Sequence, residues 1–195
     1  MKPVIKDIGE FIIQHNEIDY LFIPSFLNMT KLGKPDEIVE IFSIIFGEIN
    51  NDNFTSVIEC ADKILEACCT TDCSVITGYL KGEDKLVNVE AAIPVEDKLI
   101  LSQHLLKHGL IGDISPKKTS EDASYSDEFH AKKFVYMAVA HLGMSEVDAW
   151  NMSMTAFQEA MEAKFPTNDK DIISQDDYDL AMNYADSVIG LKNTA

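Results

Sequence analysis

The chain contains no arginine. All 16 basic residues are lysines, set against 33 Asp and Glu, so that the 195 residues carry a formal net charge of −17. Nucleic acids are held chiefly by neutralising their phosphates, and the guanidinium fork is the group that reads phosphates and base edges through paired hydrogen bonds. An acidic chain without that group is not expected to bind nucleic acid. The same field repels anionic lipid surfaces and favours basic protein partners, and it also serves plain solubility. Long apolar runs are missing as well, none approaching the roughly 20 residues of a membrane span. The N-terminal stretch MKPVIKDIGEFIIQHNEIDY lacks an apolar core followed by small residues, so no signal peptide is expected. Together these absences predict no membrane partner and a cytoplasmic location.

Cysteine is sparse and clustered at Cys60, Cys68, Cys69 and Cys73. The spacing is not that of a secreted disulfide framework, and no CxxC pair supports a zinc ribbon. Reduced thiols packed as small hydrophobes are expected. Catalytic signatures are absent too: no GxSxG, no phosphate-cradling glycine loop and no paired-carboxylate pattern occurs. Neither an enzyme nor a cofactor is expected. In HLLKH, His104 and His108 stand at i and i+4 on one helical face, and His130 and His141 share another three turns apart. No HExxH pattern accompanies them, so the expectation is no metal, with these histidines on helix surfaces or at the core edge.

Apolar residues make up 46% of the chain, enough for a real core. The runs Glu10–Gln14 and Ile18–Ile23 flank a polar turn at His15-Asn16-Glu17 and predict a β-hairpin. Ser25 caps a short helical turn. Pro35, with Asp36 and Glu37 behind it, opens a helix whose Ile38, Ile41, Phe42 and Ile45 repeat at three and four. Val57, Cys60, Ala61, Ile64, Leu65 and Cys68 mark the inner face of the next. A small irregular or β segment follows, turning at Gly82-Glu83-Asp84, and then the helix VEDKLILSQHLLKHGLIG, with Leu99, Ser102 and Leu106 on one side and Gly109 as its C-cap. The stretch between Asp113 and Asp127 is polar and poor in large aliphatics, as linkers are. Beyond it a helix ends at Gly143, and Ser145 with Asp148 forms a capping box for another.

The predicted fold is therefore mainly α, formally α+β: an N-terminal β-hairpin, a helical bundle and a C-terminal helical pair. Residues 1–112 form the hairpin and helical domain, 113–127 the linker or mobile loop and 128–166 the helical pair. The acidic tail, 167–195, carries a short helix at Gln175–Ile189.

The segment HLGMSEVDAWNMSMTAFQEAMEAKFP holds the one tryptophan and four of the eight methionines. Its helix–Gly–helix outline suits DNA binding in shape, but Glu146, Asp148, Glu159 and Glu162 would push such a helix out of a groove. On one helix starting after Ser145, the residues Val147, Trp150, Met154, Phe157, Met161 and Phe165 fall in a single core-facing stripe. Ala149, Met152, Ala156, Ala160 and Ala163 form a second apolar strip, expected to be the partner-binding face because alanines admit a second helix closely and methionine adapts to varied partners.

Several segments in order, FIPSFLNMTKLGKPDEIVEIF, ILEACC followed by ITGYL, LSQHLLKHGLIG and HLGMSEVDAWNMSMTAFQEAMEAKFP, are together similar to tail assembly chaperones of tailed bacteriophages with long non-contractile tails. The resemblance covers most of residues 10–166. It implies a small, acidic, mainly helical protein of the host cytoplasm that binds the tape-measure protein, and the major tail tube protein as a second candidate client, during tail morphogenesis and then leaves. Self-association is the other use such a face could have. Two other roles compete. A structural tail component would remain in the virion. A DNA-mimicking inhibitor of a host nuclease would need a phosphate-like array of acids, whereas here acids are spread among lysines along the chain.

Overall fold

The computed structural model describes residues 4–5, 7–81, 87–89, 91–113 and 127–166. The turn at Gly82-Glu83-Asp84, the stretch between Asp113 and Asp127 and the tail after Pro166 lie outside the described residues. Residues up to Lys164 form one compact unit. The fold is mainly α with some β.

Three antiparallel strands open the chain: β1 (Val4–Ile5), β2 (Phe11–His15) and β3 (Ile18–Phe22), in the order β1-β2-β3. The hairpin turns on Asn16 and Glu17, both at positive φ (49° and 64°), as a tight turn matched to the right-handed strand twist requires. Its register pairs Phe11 with Phe22 and Ile13 with Tyr20. Those four side chains are buried on one face, and the Phe11 and Phe22 rings stack 4.8 Å apart.

Next come α1 (Phe26–Thr30), capped by the Ser25 hydroxyl, and α2 (Pro35–Phe46), where Lys34 N–H donates to Glu37 Oε2 at 2.8 Å. These are followed by α3 (Phe54–Cys68), α4 (Ser74–Thr77) and the antiparallel pair β4 (Tyr79–Lys81) and β5 (Val87–Val89). Ile38, Ile41 and Ile45 of α2 and Val57, Ala61, Ile64, Leu65 and Cys68 of α3 are buried, as their spacing predicts. Helix α5 (Val95–Leu106) crosses α3 and continues into a π-turn, Lys107–Ile111.

Here the chain departs from expectation. Gly109 is not the cap; it is buried inside the π-turn, where a Cβ would stand 2.6 Å from Met29 Sδ, so glycine there lets α1 lie close. The cap is Gly112, three residues on, at φ 90° and ψ −177°.

The C-terminal part comprises α6 (Ala131–Met137) with a π-turn over Ala138–Leu142, α7 (Glu146–Trp150) and α8 (Met154–Lys164). Gly143 turns the chain in the left-handed region, at φ 71° and ψ 24°. Ser145 then caps α7, its hydroxyl accepting from Asp148 N–H at 3.1 Å. The single helix expected after Ser145 is two. Asn151 Nδ2 donates to Val147 O at 2.9 Å, and Ser153 starts α8 by accepting from Ala156 N–H at 3.1 Å. That break resets the helical phase, so the stripe drawn through it does not hold. Val147, expected in the core, is 70% exposed, and Trp150 is only half-buried. Ala149, expected on the partner face, is completely buried. Met154 and Phe157 are buried as expected, and Met161 is half-buried.

The two glycine turns differ in what they tolerate. Gly112→Ala is expected to cost about 1–3 kcal/mol, because its conformation belongs to glycine and a Cβ would meet the Gln158 amide. Gly143→Ala meets nothing within 4 Å and carries only the left-handed penalty, about 1 kcal/mol. Urea denaturation of the two variants should rank them in that order; equal losses would show that neither the Gly112 backbone geometry nor the Gln158 amide adds to the left-handed penalty.

Candidate functional site

Two apolar cores organise the described residues. The main core joins β2, β3, α2, α3 and α5. The second is built on Phe26, Ala131, Val135, Ala138, Ala149, Met154 and Phe157. In the main core the buried residues outnumber the half-buried ones that pack against them; in the second the relation is reversed. The half-covered group includes Met137, Met144, Met152 and Met161 together with Trp150, whose Nε1–H donates to Glu146 Oε1 at 3.3 Å. Flexible, polarisable side chains therefore rim a shallow core, with the exposed Val147 and Tyr136 on its elements. Of the expected partner strip, Met152, Ala156 and Ala160 are half-buried and Ala163 is exposed, while Ala149 belongs to the buried part of the second core.

Phe26 fastens this core to α1. Its ring lies 5.8 Å from Phe134 in a stacked arrangement and 6.0 Å from Phe157 edge-on, and its N–H donates to Met152 O at 2.8 Å. A second fastening runs through the histidines. His108 Nδ1 and Thr155 Oγ1 are 2.8 Å apart, joining the π-turn to α8, and Gln158 Nε2–H donates to Ile111 O at 2.7 Å. His104 Nε2–H donates to Gly9 O at 3.2 Å, and the two imidazoles sit with centroids 4.5 Å apart. Gly9, at φ 90°, must lack a Cβ, which would fall 2.3 Å from His108 Cβ. The pair thus ties the N-terminal sheet, the π-turn and α8 to one point.

Burial lowers the pKa of both imidazoles. For His104 the Gly9 hydrogen bond and Asp113 oppose this, while Lys107 adds to it. For His108 the neighbouring His104 adds to it, as does Lys107, and Asp113 opposes it. A histidine depressed in the folded state binds fewer protons there than in the unfolded chain. Its stabilisation is complete above the ordinary value near 6.5 and is lost as pH falls from there through the folded value. The melting temperature of the wild-type protein should therefore drop more between about pH 7 and pH 5 than that of His104→Gln/His108→Asn. Parallel pH profiles would remove the histidines from the account.

The other polar features of the fold act locally. Among the described residues no group of three or more His, Cys, Asp or Glu could hold a metal ion. His130 pairs with Glu128 at 2.7 Å on the surface, and His141 lies exposed in the second π-turn. The four cysteines are free thiols. A hydrogen bond from the Cys73 thiol holds Cys69 below the usual thiol range and Cys73 above it, while burial raises Cys68. No described helix is long and apolar enough to cross a membrane.

Sequence reasoning passed over the buried Lys98 entirely. It is 4% exposed and bonds Asp62 Oδ1 at 2.7 Å and Thr77 O at 2.5 Å, linking α5 to α3 and α4. The C-terminal stripe likewise runs through the break at Asn151-Met152-Ser153, and Ser153, a capping residue in the middle of the pattern, is the signal for that break.

The profile of a family of unknown function, DUF6246, matches residues 44–180. No curated protein and no solved structure matches the chain.

Proposed function

We propose, for a chain that belongs to the DUF6246 family of unknown function, a non-catalytic escort role: a tail assembly chaperone that binds the tape-measure protein in the host cytoplasm while a phage tail is built. The observation that carries the reading is the second core, half-covered and rimmed by methionines on a strongly acidic chain. A long helical client with apolar surface aggregates before the tail tube encloses it. An escort for such a client needs charge to keep the complex soluble and an apolar face that repacks against many segments. The sequence resemblance supplies the choice of client, and the major tail tube protein is the second candidate.

The test is co-expression with a tape-measure protein encoded in the same tail-gene cluster, followed by affinity capture. The wild-type chain should retain the client in solution. Val147→Asp places a carboxylate in the first turn of α7, where the helix dipole accepts it, and should shift stability by no more than about 0.5 kcal/mol. The client should nevertheless be lost. Failure of the wild-type chain to capture either client overturns the reading, as does recovery of the protein in stoichiometric amount from purified virions, which would make it a structural tail component.

A further inference from the structure

A second surface lies away from the half-open core, at the corner where α2 passes into α3. Large apolar side chains stand in water there: Phe46, Ile49 and Phe54 are 45%, 43% and 49% exposed. Isolated exposed apolar residues are ordinary, but three within nine positions at one corner are not. The Phe46 ring stacks on Phe42 with centroids 4.5 Å apart, and Phe42 in turn packs on the main core, so the patch is continuous with rigid structure. The connecting loop is closed on itself. Asn53 Nδ2 donates to Glu48 O at 2.8 Å, Asn50 N–H to Asn53 Oδ1 at 2.8 Å, and Asn50 Oδ1 accepts from the Asp52 and Asn53 amides at 3.0 and 3.1 Å. A loop held this way presents Ile49 without an ordering cost on binding.

Charge says what the patch fits. Between Lys34 and Lys63 every charged residue is acidic. Burial raises the Cys60 thiol's pKa, Lys63 lowers it, and the carboxylates of Glu59 on α3 and Glu40 on α2 raise it again, so an acid from each helix bears on the same point. Glu48 and Asp52 are exposed in the loop beside Ile49.

We propose that the α2–α3 corner is a docking surface for a basic amphipathic helix of another protein, its apolar stripe on Phe46, Ile49 and Phe54 and its lysines or arginines against the surrounding carboxylates. Apolar anchors with a complementary charged rim are how amphipathic helices are taken up by grooves and faces. A second copy of this chain is the wrong occupant, since it would set one acidic frame against another. The proposal does not depend on the client named above.

The experiment uses the full chain and two labelled synthetic peptides of identical leucine and lysine composition. One carries leucines at i, i+3, i+4 and i+7, and the other is scrambled. Fluorescence anisotropy should show the striped peptide bound at least about tenfold more tightly than the scrambled one, as loss of a buried anchor implies. That preference should vanish in Phe46→Ser/Ile49→Ser and persist in Val147→Asp. Glu48→Lys/Asp52→Lys, which touches no packed side chain, should weaken binding of both peptides and flatten the salt dependence. Equal binding of the two peptides overturns the proposal, and so does a preference that survives Phe46→Ser/Ile49→Ser or disappears in Val147→Asp. A dimer of the wild-type chain in sedimentation, broken by Phe46→Ser/Ile49→Ser, would assign the corner to a second copy and overturn it equally.

Discussion

Asp62→Ala should destabilise the protein more than Lys98→Met does, although the two residues form one ion pair. The pair is lopsided in its exposure: the Lys98 side chain is 6% exposed and the Asp62 side chain 30%. Removing Asp62 leaves an ammonium buried among α3, α4 and α5 with the Thr77 carbonyl as its acceptor among the described residues. Breaking a buried pair from one side in this way costs about 3–5 kcal/mol. Removing the lysine instead lets the Asp62 carboxylate turn to water, while Met fills most of the vacated volume. What remains is an unsatisfied Thr77 carbonyl, about 1–3 kcal/mol. The double variant should be no less stable than Asp62→Ala alone, since the second substitution removes the stranded charge. Chemical denaturation of the two single variants and the double variant checks this as a cycle. A larger loss in Lys98→Met would mean that the Thr77 carbonyl left unpaired costs more than the stranded ammonium.

Lys98 also shows where sequence reading stops. In VEDKLILSQHLL nothing separates it from the exposed Glu96 and Asp97 that precede it, because lysine is ordinarily a surface residue. Its partners come from α3 and α4, far away in the chain, and no local pattern encodes them. Where structure follows from local chemistry the reading holds: the Asn16-Glu17 hairpin, the Ser25, Pro35 and Ser145 helix starts, the Gly143 turn and the inner faces of α2 and α3. It fails where one residue type has two uses. Gly109 looked like a cap and is instead a packing site for Met29; the capping role passes to Gly112 because the π-turn extends the helix. In NMSMTAF, Ser153 sits between residues of the apolar stripes and also caps a helix, and the cap wins because the backbone there is held to the start of α1: Ser153 bridges Ser25, and Met152 O accepts from Phe26 N–H. The candidate surface shifted accordingly, from an alanine strip on one long helix to the methionine rim of a core spread over α6, α7 and α8.

That rim is only as useful as its attachment, and the attachment depends on Phe26. Helix α1 contributes to both cores: Met29 and the following Leu32 lie in the main one, Phe26 in the second. Its ring, fully buried, meets Phe134 and Phe157, and Phe134 meets Phe129 at 5.8 Å, so one aromatic group links α1, α6 and α8. Phe26→Ala empties the centre of a core that is already shallow and should cost about 3–5 kcal/mol. The half-buried Trp150 should cost less, about 1 kcal/mol on truncation to alanine. The loss from Phe26→Ala should also be uneven. Amides of α6, α7 and α8 should lose hydrogen-exchange protection, while those of α3 and α5, which pack on each other in the main core, keep most of theirs. Client capture should fail with the second core, and striped-peptide binding at the α2–α3 corner should continue. Uniform loss of protection along the chain would instead make the two cores one cooperative unit. In that case the half-covered rim could not open without unfolding the rest, and an adaptable grip would have to come from side-chain repacking alone.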